Sequence, residues 1–141
     1  MEEDRWQFLN DLDDEILKGG ATFSEWCTFI VRDADIAFAA GAHLATIITA
    51  VAGIETYLRA EYAASPKGTL YQLIEGAPLQ ASLKNDLQIL RRYRNKWVHI
   101  SDPLDDQELL SRPENYECEL ERMAIFAVRV LRQTIYSNQW V

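Results

Sequence analysis

"LQASLKNDLQILRRYRNKWVHI", residues 79–100, carries a helical repeat with one misfit inside it. Leu83, Leu87, Leu90, Arg94 and Trp97 are spaced four, three, four and three residues apart, which sets them on one face of a helix. The spacing predicts a helix from about Leu79 to Ile100, ending before Pro103, whose ring disfavours helical geometry at Asp102. Arg94 stands where the stripe calls for an apolar residue. A buried charge is costly unless it is paired and hydrogen-bonded.

The preceding long helix shows the same anomaly with the opposite sign. Leu44, Ile48, Val51, Glu55, Leu58 and Tyr62 follow the same steps, and Glu55 is the charged member. The economical expectation is that Glu55 and Arg94 face each other, directly or through a neighbour, in or beside a cleft. Such a pair serves either as a structural ion pair or as an anion site in which Glu55 orients Arg94. The stripe alone leaves both open.

The remaining periodicity is helical, with no alternating strand pattern. A first helix is expected over about 3–18, with Trp6, Leu9, Ile16 and Leu17 inward and Gly19-Gly20 as its stop. Thr22 or Ser24 can cap the next segment, which is expected to break near Asp33–Asp35 and then run to about Tyr62. "ASPKG" (64–68) reads as a turn, "TLYQLIE" as a short helix, and "LDDQELL" as a turn or helix. Pro113 opens a last helix that reaches about Ser137. The fold expected is all-α: a compact antiparallel bundle of about five helices in one domain, 1–141.

Composition narrows the function. A net charge of −8 over 141 residues excludes a generally basic nucleic-acid-coating surface, so any such contact is local. Cys27 and Cys118 lie in no metal-ligand spacing and read as reduced, buried thiols of a cytoplasmic protein. The start, "MEEDRWQFLNDLDDEIL", is acidic and amphipathic, unlike a signal peptide. "IAFAAGAHLATIITAVAGI" (36–54) lacks charged side chains, but its small residues read as a central core helix rather than a membrane span. No P-loop, dinucleotide fingerprint or nucleophile elbow is present.

Against this acidity, Arg91, Arg92, Arg94 and Lys96 crowd beside His99, one of two histidines. Asn95 and His99 are i and i+4 and share a face. Arg94 lies about 140° from His99 around a helix of 3.6 residues per turn, so the two flank a site rather than stack. The cluster reads as a phosphate site.

The order Arg94, Asn95, three residues, His99 near a helix end, "RNKWVH", resembles the HEPN superfamily, whose motif is an arginine followed four to six residues later by histidine. The upstream "GAHLATIITAVAGIETYLRAEY" resembles the long HEPN helix whose acidic residue, here Glu55, approaches the motif arginine. The resemblance covers about residues 30–137, with 1–20 an added amphipathic helix. It implies a metal-independent, cofactor-free endoribonuclease working as a homodimer, with two motifs across a shared cleft. His99 would then move the proton of the RNA 2′-hydroxyl, Arg94 would stabilise phosphoryl charge, and Asn95 would hold substrate or His99. Glu55 would fix Arg94, Arg91 and Arg92 would bind flanking phosphates, and Tyr93 or Trp97 would stack on a base. It also implies a toxin of a toxin–antitoxin or defence system, with an antitoxin or other inhibitory protein such as a minimal nucleotidyltransferase.

Two other readings fit the residues. One is a catalytically silent HEPN module binding a nucleotide or a protein. The other is a helical partner protein using "YSNQWV" at the C-terminus, where Trp140 is an interface anchor or part of a flexible tail. Asp11, Asp13, Asp14 and Glu15 read as a solvated helix face, and His43 as a satisfied core histidine. Met123, Phe126, Val130 and Ile135 suggest core or dimer packing, while Arg122, Arg129 and Arg132 read as pairing with nearby acids.

Overall fold

The structure, a computed structural model, describes residues 1–63 and 67–141. Five long helices carry it: α1 (Glu2–Ile16), α2 (Glu25–Ala39), α3 (His43–Tyr62), α5 (Ala81–Val98) and α7 (Pro113–Ile135). Two short ones, α4 (Leu70–Gly76) and α6 (Gln107–Ser111), complete the described set. The all-α expectation holds; the only extended pairing among the described residues is an isolated bridge, Gly20 with Trp140. Part of the "ASPKG" turn, residues 64–66, lies outside the described residues.

Local chemistry sets the boundaries. Ser24, rather than Thr22, caps α2: its hydroxyl accepts the Cys27 N–H at 3.2 Å. Thr69 and Gln72 exchange side-chain and backbone bonds as a capping box at the start of α4. Pro113 occupies the first turn of α7, where its missing N–H costs nothing. The expected break at Asp33–Asp35 is not there: α2 runs through it unbroken. The chain turns instead at Gly41, whose φ of +79° suits glycine. Residues 36–54 are therefore divided between α2 and α3. No described helix is long and apolar enough to cross a membrane.

Side-chain links give the directions. Arg5, early in α1, bonds the carbonyl of Ala39 at the end of α2, so these helices are antiparallel. Glu15 and Asp13 reach Arg129 and Arg132, so the C-terminal ends of α1 and α7 lie together. Trp97 stacks edge-on against Tyr116, while Leu83 shares a cavity wall with Gln133 and Tyr136, so α5 is antiparallel to α7. Helices α3 and α7 form the centre, with Ile47, Val51, Ile54 and Leu58 facing a core shared with Val128 and Leu131. Gly53 permits the close approach, since a Cβ there would come within 3.3 Å of Leu131. Each fully buried aliphatic side chain of this core contributes about 1.5–3 kcal/mol.

Several side chains differ from expectation. The buried stripe of α3 is the paired set 46/47, 50/51, 53/54 and 57/58, which leaves Glu55 half-buried at its edge and Ile48 exposed. Trp6 is exposed, and Leu9 with Leu12 anchors α1 instead. Cys27 is buried, but Cys118 sits on the open face of α7. The C-terminus is pinned rather than loose. Gly20 and Trp140 exchange backbone bonds at 2.8 and 2.9 Å, and the Gln139 side chain accepts from Lys18 and Gly19 while donating to Ile16.

The buried charge is Arg132, only 2% exposed. Its Nη1 and Nη2 donate to the two carboxylate oxygens of Asp35 at 2.9 and 2.8 Å, and its Nε donates to Asp13 at 2.9 Å. Tyr136 completes the set, donating its hydroxyl to Asp13 at 2.8 Å. Asp13 thus leaves the solvated face expected of it and joins α1 to α7. Burial works against the Arg132 charge, but the hydrogen bonds and charge of Asp35 outweigh it and hold its pKa up. At Asp35 burial wins and lifts the carboxyl above its usual range, against the pull of Arg132.

Removing one member leaves the other buried and unpaired. Arg132→Ala is expected to lower the unfolding free energy by about 3–5 kcal/mol in urea titrations. Replacing Arg132 and Asp35 together by leucine is expected to recover most of that loss.

Candidate functional site

The last turns of α5 carry the candidate residues. Leu87 and Leu90 are buried, and Arg94 continues their row half-buried as the core opens. Helix α5 stops at Val98, two residues short of the expected end, and His99 is its cap, with φ −126° and ψ 57°. The backbone N–H of His99 donates to the Asn95 carbonyl at 2.9 Å, which holds the histidine to the helix end while the residue stays exposed. At about 100° per residue, Asn95, His99 and Arg92 fall within an arc of roughly 60°. Arg94 flanks that arc on its core side.

Polar satisfaction separates these residues from the rest of the helix. Four buried side-chain atoms have no hydrogen-bond partner among the described residues, and three belong here: Arg94 Nε, Asn95 Oδ1 and Trp97 Nε1. Buried polar groups are nearly always paired, so such a group needs an explanation. Arg94 makes no ion pair with any described residue. The fourth atom is His43 Nδ1, so that histidine is not the satisfied core residue expected.

The expected contact between Glu55 and Arg94 is corrected. Glu55 accepts from Arg59, one turn along the same helix, at 3.2 Å, and Arg59 also reaches the Gly68 carbonyl at 2.8 Å. An i,i+4 partner on its own helix satisfies Glu55 at little ordering cost. Arg94 is left without it.

The flanking residues divide into engaged and free. Arg91 donates to Gln88 at 2.7 Å and lies over the Tyr71 ring at 5.4 Å. Gln88 in turn donates to Glu75 and to the Tyr71 carbonyl, so Arg91 is locked to α4. Arg92 is exposed, with no ion pair among the described residues. Tyr93 donates to Glu119 at 2.8 Å, and Lys96 reaches the same carboxylate at 3.5 Å. Burial pushes the Tyr93 phenol up to about 12, with Trp97 lowering it and the Glu119 bond raising it further. The structure thus gathers Arg92, Arg94, Asn95 and His99 as available groups and commits Arg91, Tyr93 and Glu55 to protein contacts.

Gln88, Glu75 and Glu119, which hold the neighbours of the site, had no sequence signal beyond their polarity. No group of three or more histidine, cysteine, aspartate or glutamate side chains among the described residues is placed to hold a metal ion. No family model, curated protein or solved structure matches this chain.

Two outcomes follow from this geometry. Arg94→Leu fills a core position and removes an unpaired buried donor, so it is expected to raise stability by on the order of 1 kcal/mol in urea denaturation. The raised Tyr93 pKa means that the folded state holds its proton more tightly than the unfolded chain. Its stabilising effect is whole below pH 10.0 and disappears as the pH rises through about 12. Ultraviolet titration of the wild type against Tyr93→Phe reads this as the loss of one late-titrating phenol.

Proposed function

We propose that this chain is a metal-independent endoribonuclease of HEPN type. The observation that carries the reading is the pair of buried, unpartnered polar atoms on adjacent residues, Arg94 Nε and Asn95 Oδ1, next to an exposed histidine at a helix end. A structural arginine on a core stripe would have an acid to meet, and this one has none among the described residues. A phosphate ester bound at the end of α5 gives it one.

The chemistry follows from the groups. The 2′-hydroxyl of RNA gives up its proton to the His99 imidazole, acting as general base. The 2′-oxygen bonds to phosphorus and the 5′-oxygen leaves, taking up a proton, so the products are a 2′,3′-cyclic phosphate and a 5′-hydroxyl. Negative charge grows on the phosphoryl oxygens meanwhile, and the Arg94 guanidinium meets it with fixed, always-charged donors. Asn95 holds the substrate or the imidazole, and Arg92 meets a flanking phosphate. In a homodimer, two such motifs across a two-fold axis double the local positive charge in an acidic protein and provide a second histidine as proton donor. A toxin role restrained by an antitoxin or another inhibitory partner belongs to the same reading.

A silent binding module is the second reading, favoured by one observation: Asp102 and Asp105, close after His99, are exposed and carry no ion pair among the described residues. Carboxylates beside a phosphate site repel RNA.

End-labelled RNA in EDTA separates the two. Cleavage leaving cyclic phosphate ends is expected, reduced about 10²–10⁴-fold in His99→Ala and about 10²–10³-fold in Arg94→Ala, with helix content unchanged. Equal activity in wild type and both variants removes the site from the reaction, and no cleavage by any of them favours the binding module.

A further inference from the structure

The segment following His99 exposes more apolar surface than a solvated turn needs. Ile100, Leu104 and Leu110 are 51%, 88% and 75% exposed, and Val98 and Leu109 are also open. Exposed apolar residues scattered singly are ordinary, but a concentration of them marks an interaction surface. Interleaved with them are Asp102, Asp105, Asp106 and Glu108, none of which forms an ion pair among the described residues.

The same segment closes one side of a concavity of ≈ 230 Å³. Trp97, Ile100, Leu109 and Tyr116 form its apolar walls, and Asp105, Asp106 and Glu108 its acidic ones. Lys96, the cation lining it, reaches Glu119 at 3.5 Å and lies over the Tyr116 ring at 5.8 Å. The carboxylates of the cavity therefore outnumber its cations. Two aromatic rings set among carboxylates suit a guanidinium, which stacks on the first and bonds the second in a fork.

We propose that residues 98–110 and this cavity dock a basic amphipathic segment of a partner protein, with one of its arginines seated between Trp97, Tyr116 and the carboxylates. Charge decides the occupant. RNA is a polyanion, and a second copy meeting this surface with the same segment would set its own Asp102, Asp105, Asp106 and Glu108 against these carboxylates. Apolar residues alternating with arginine or lysine match both features of the surface. A segment docked here covers His99, so the partner also controls access to the end of α5. The docking itself stands independently of the ribonuclease reading.

The test uses a fluorescein-labelled helical peptide of leucine, alanine and arginine, with two controls: arginine replaced by glutamate, and leucine replaced by serine. In fluorescence anisotropy with the whole chain, the first peptide is expected to bind at least about tenfold more tightly than either control. Asp105→Asn/Asp106→Asn/Glu108→Gln and, separately, Leu104→Ser/Leu110→Ser are each expected to weaken it about tenfold or more. Glu2→Gln/Glu3→Gln/Asp4→Asn, which removes as much charge from the start of α1, is expected to leave it unchanged. The Trp97 indole N–H resonance, assigned with Trp97→Phe, is expected to move on binding. Equal weakening by the two charge-removing triple variants would reduce the effect to general attraction by an acidic protein and overturn the proposal. Absence of binding would do the same, as would self-association abolished by Leu104→Ser/Leu110→Ser, which would give the surface to a second copy.

Discussion

Arg132 is the constraint from which the bundle takes its shape. A guanidinium almost wholly removed from water cannot be tolerated alone, and its fork geometry demands carboxylates in fixed directions. Asp35 meets it from α2 and Asp13 from α1, so three helices are set relative to one another by one side chain. Apolar packing drives collapse but tolerates many registers. A bidentate pair within a core tolerates few. The C-terminal segment then closes over the end of α1 through Gln139 and the Gly20–Trp140 bridge, adjoining the same end of α7.

Much of this was legible in the sequence because helical periodicity and punctuation are local. Pro113, Thr69 and Ser24 act within one turn of where they stand, and the boundaries they imply lie close to those observed. The errors share a cause. A stripe read on a wheel shows which residues could face inward, not which helix lies opposite. Glu55 and Arg94 both broke a stripe and were matched by sign, yet Glu55 took a partner on its own helix. Arg132 broke the stripe of Ala124, Val128 and Ile135 in the same manner; its pairing with nearby acids was anticipated, but its burial was not. The same test applied evenly to α7 would have found it. The break at Gly41 was hidden by a run of small residues that suits either a continuous core helix or a turn between two.

The two misfit arginines thus have opposite fates. Arg132 is over-determined by protein partners, whereas Arg94 occupies a core row and its buried Nε meets none among the described residues. Sites of chemistry commonly retain groups that the fold alone would not choose, because their partners arrive with the ligand. The neighbours of Arg94 show the same economy. Arg91 and Tyr93 are fastened to α4 and α7, holding the end of α5 still, while Arg92, Asn95 and His99 remain available. The segment that follows gives this end of the molecule a second character, with exposed apolar residues set among carboxylates.

The most direct measurement of this division is the NMR signal of the arginine Nε–H groups, followed as a short single-stranded DNA is added. DNA offers the phosphate without the 2′-hydroxyl, so on the proposed reading it would bind the site without being cut. The Arg132 Nε–H is expected to exchange slowly and not to move. The Arg94 Nε–H should exchange faster in the free protein, then shift and become protected on binding. An Arg94 signal already protected without DNA, or unmoved by saturating DNA, would contradict the assignment of Arg94 to a phosphate site.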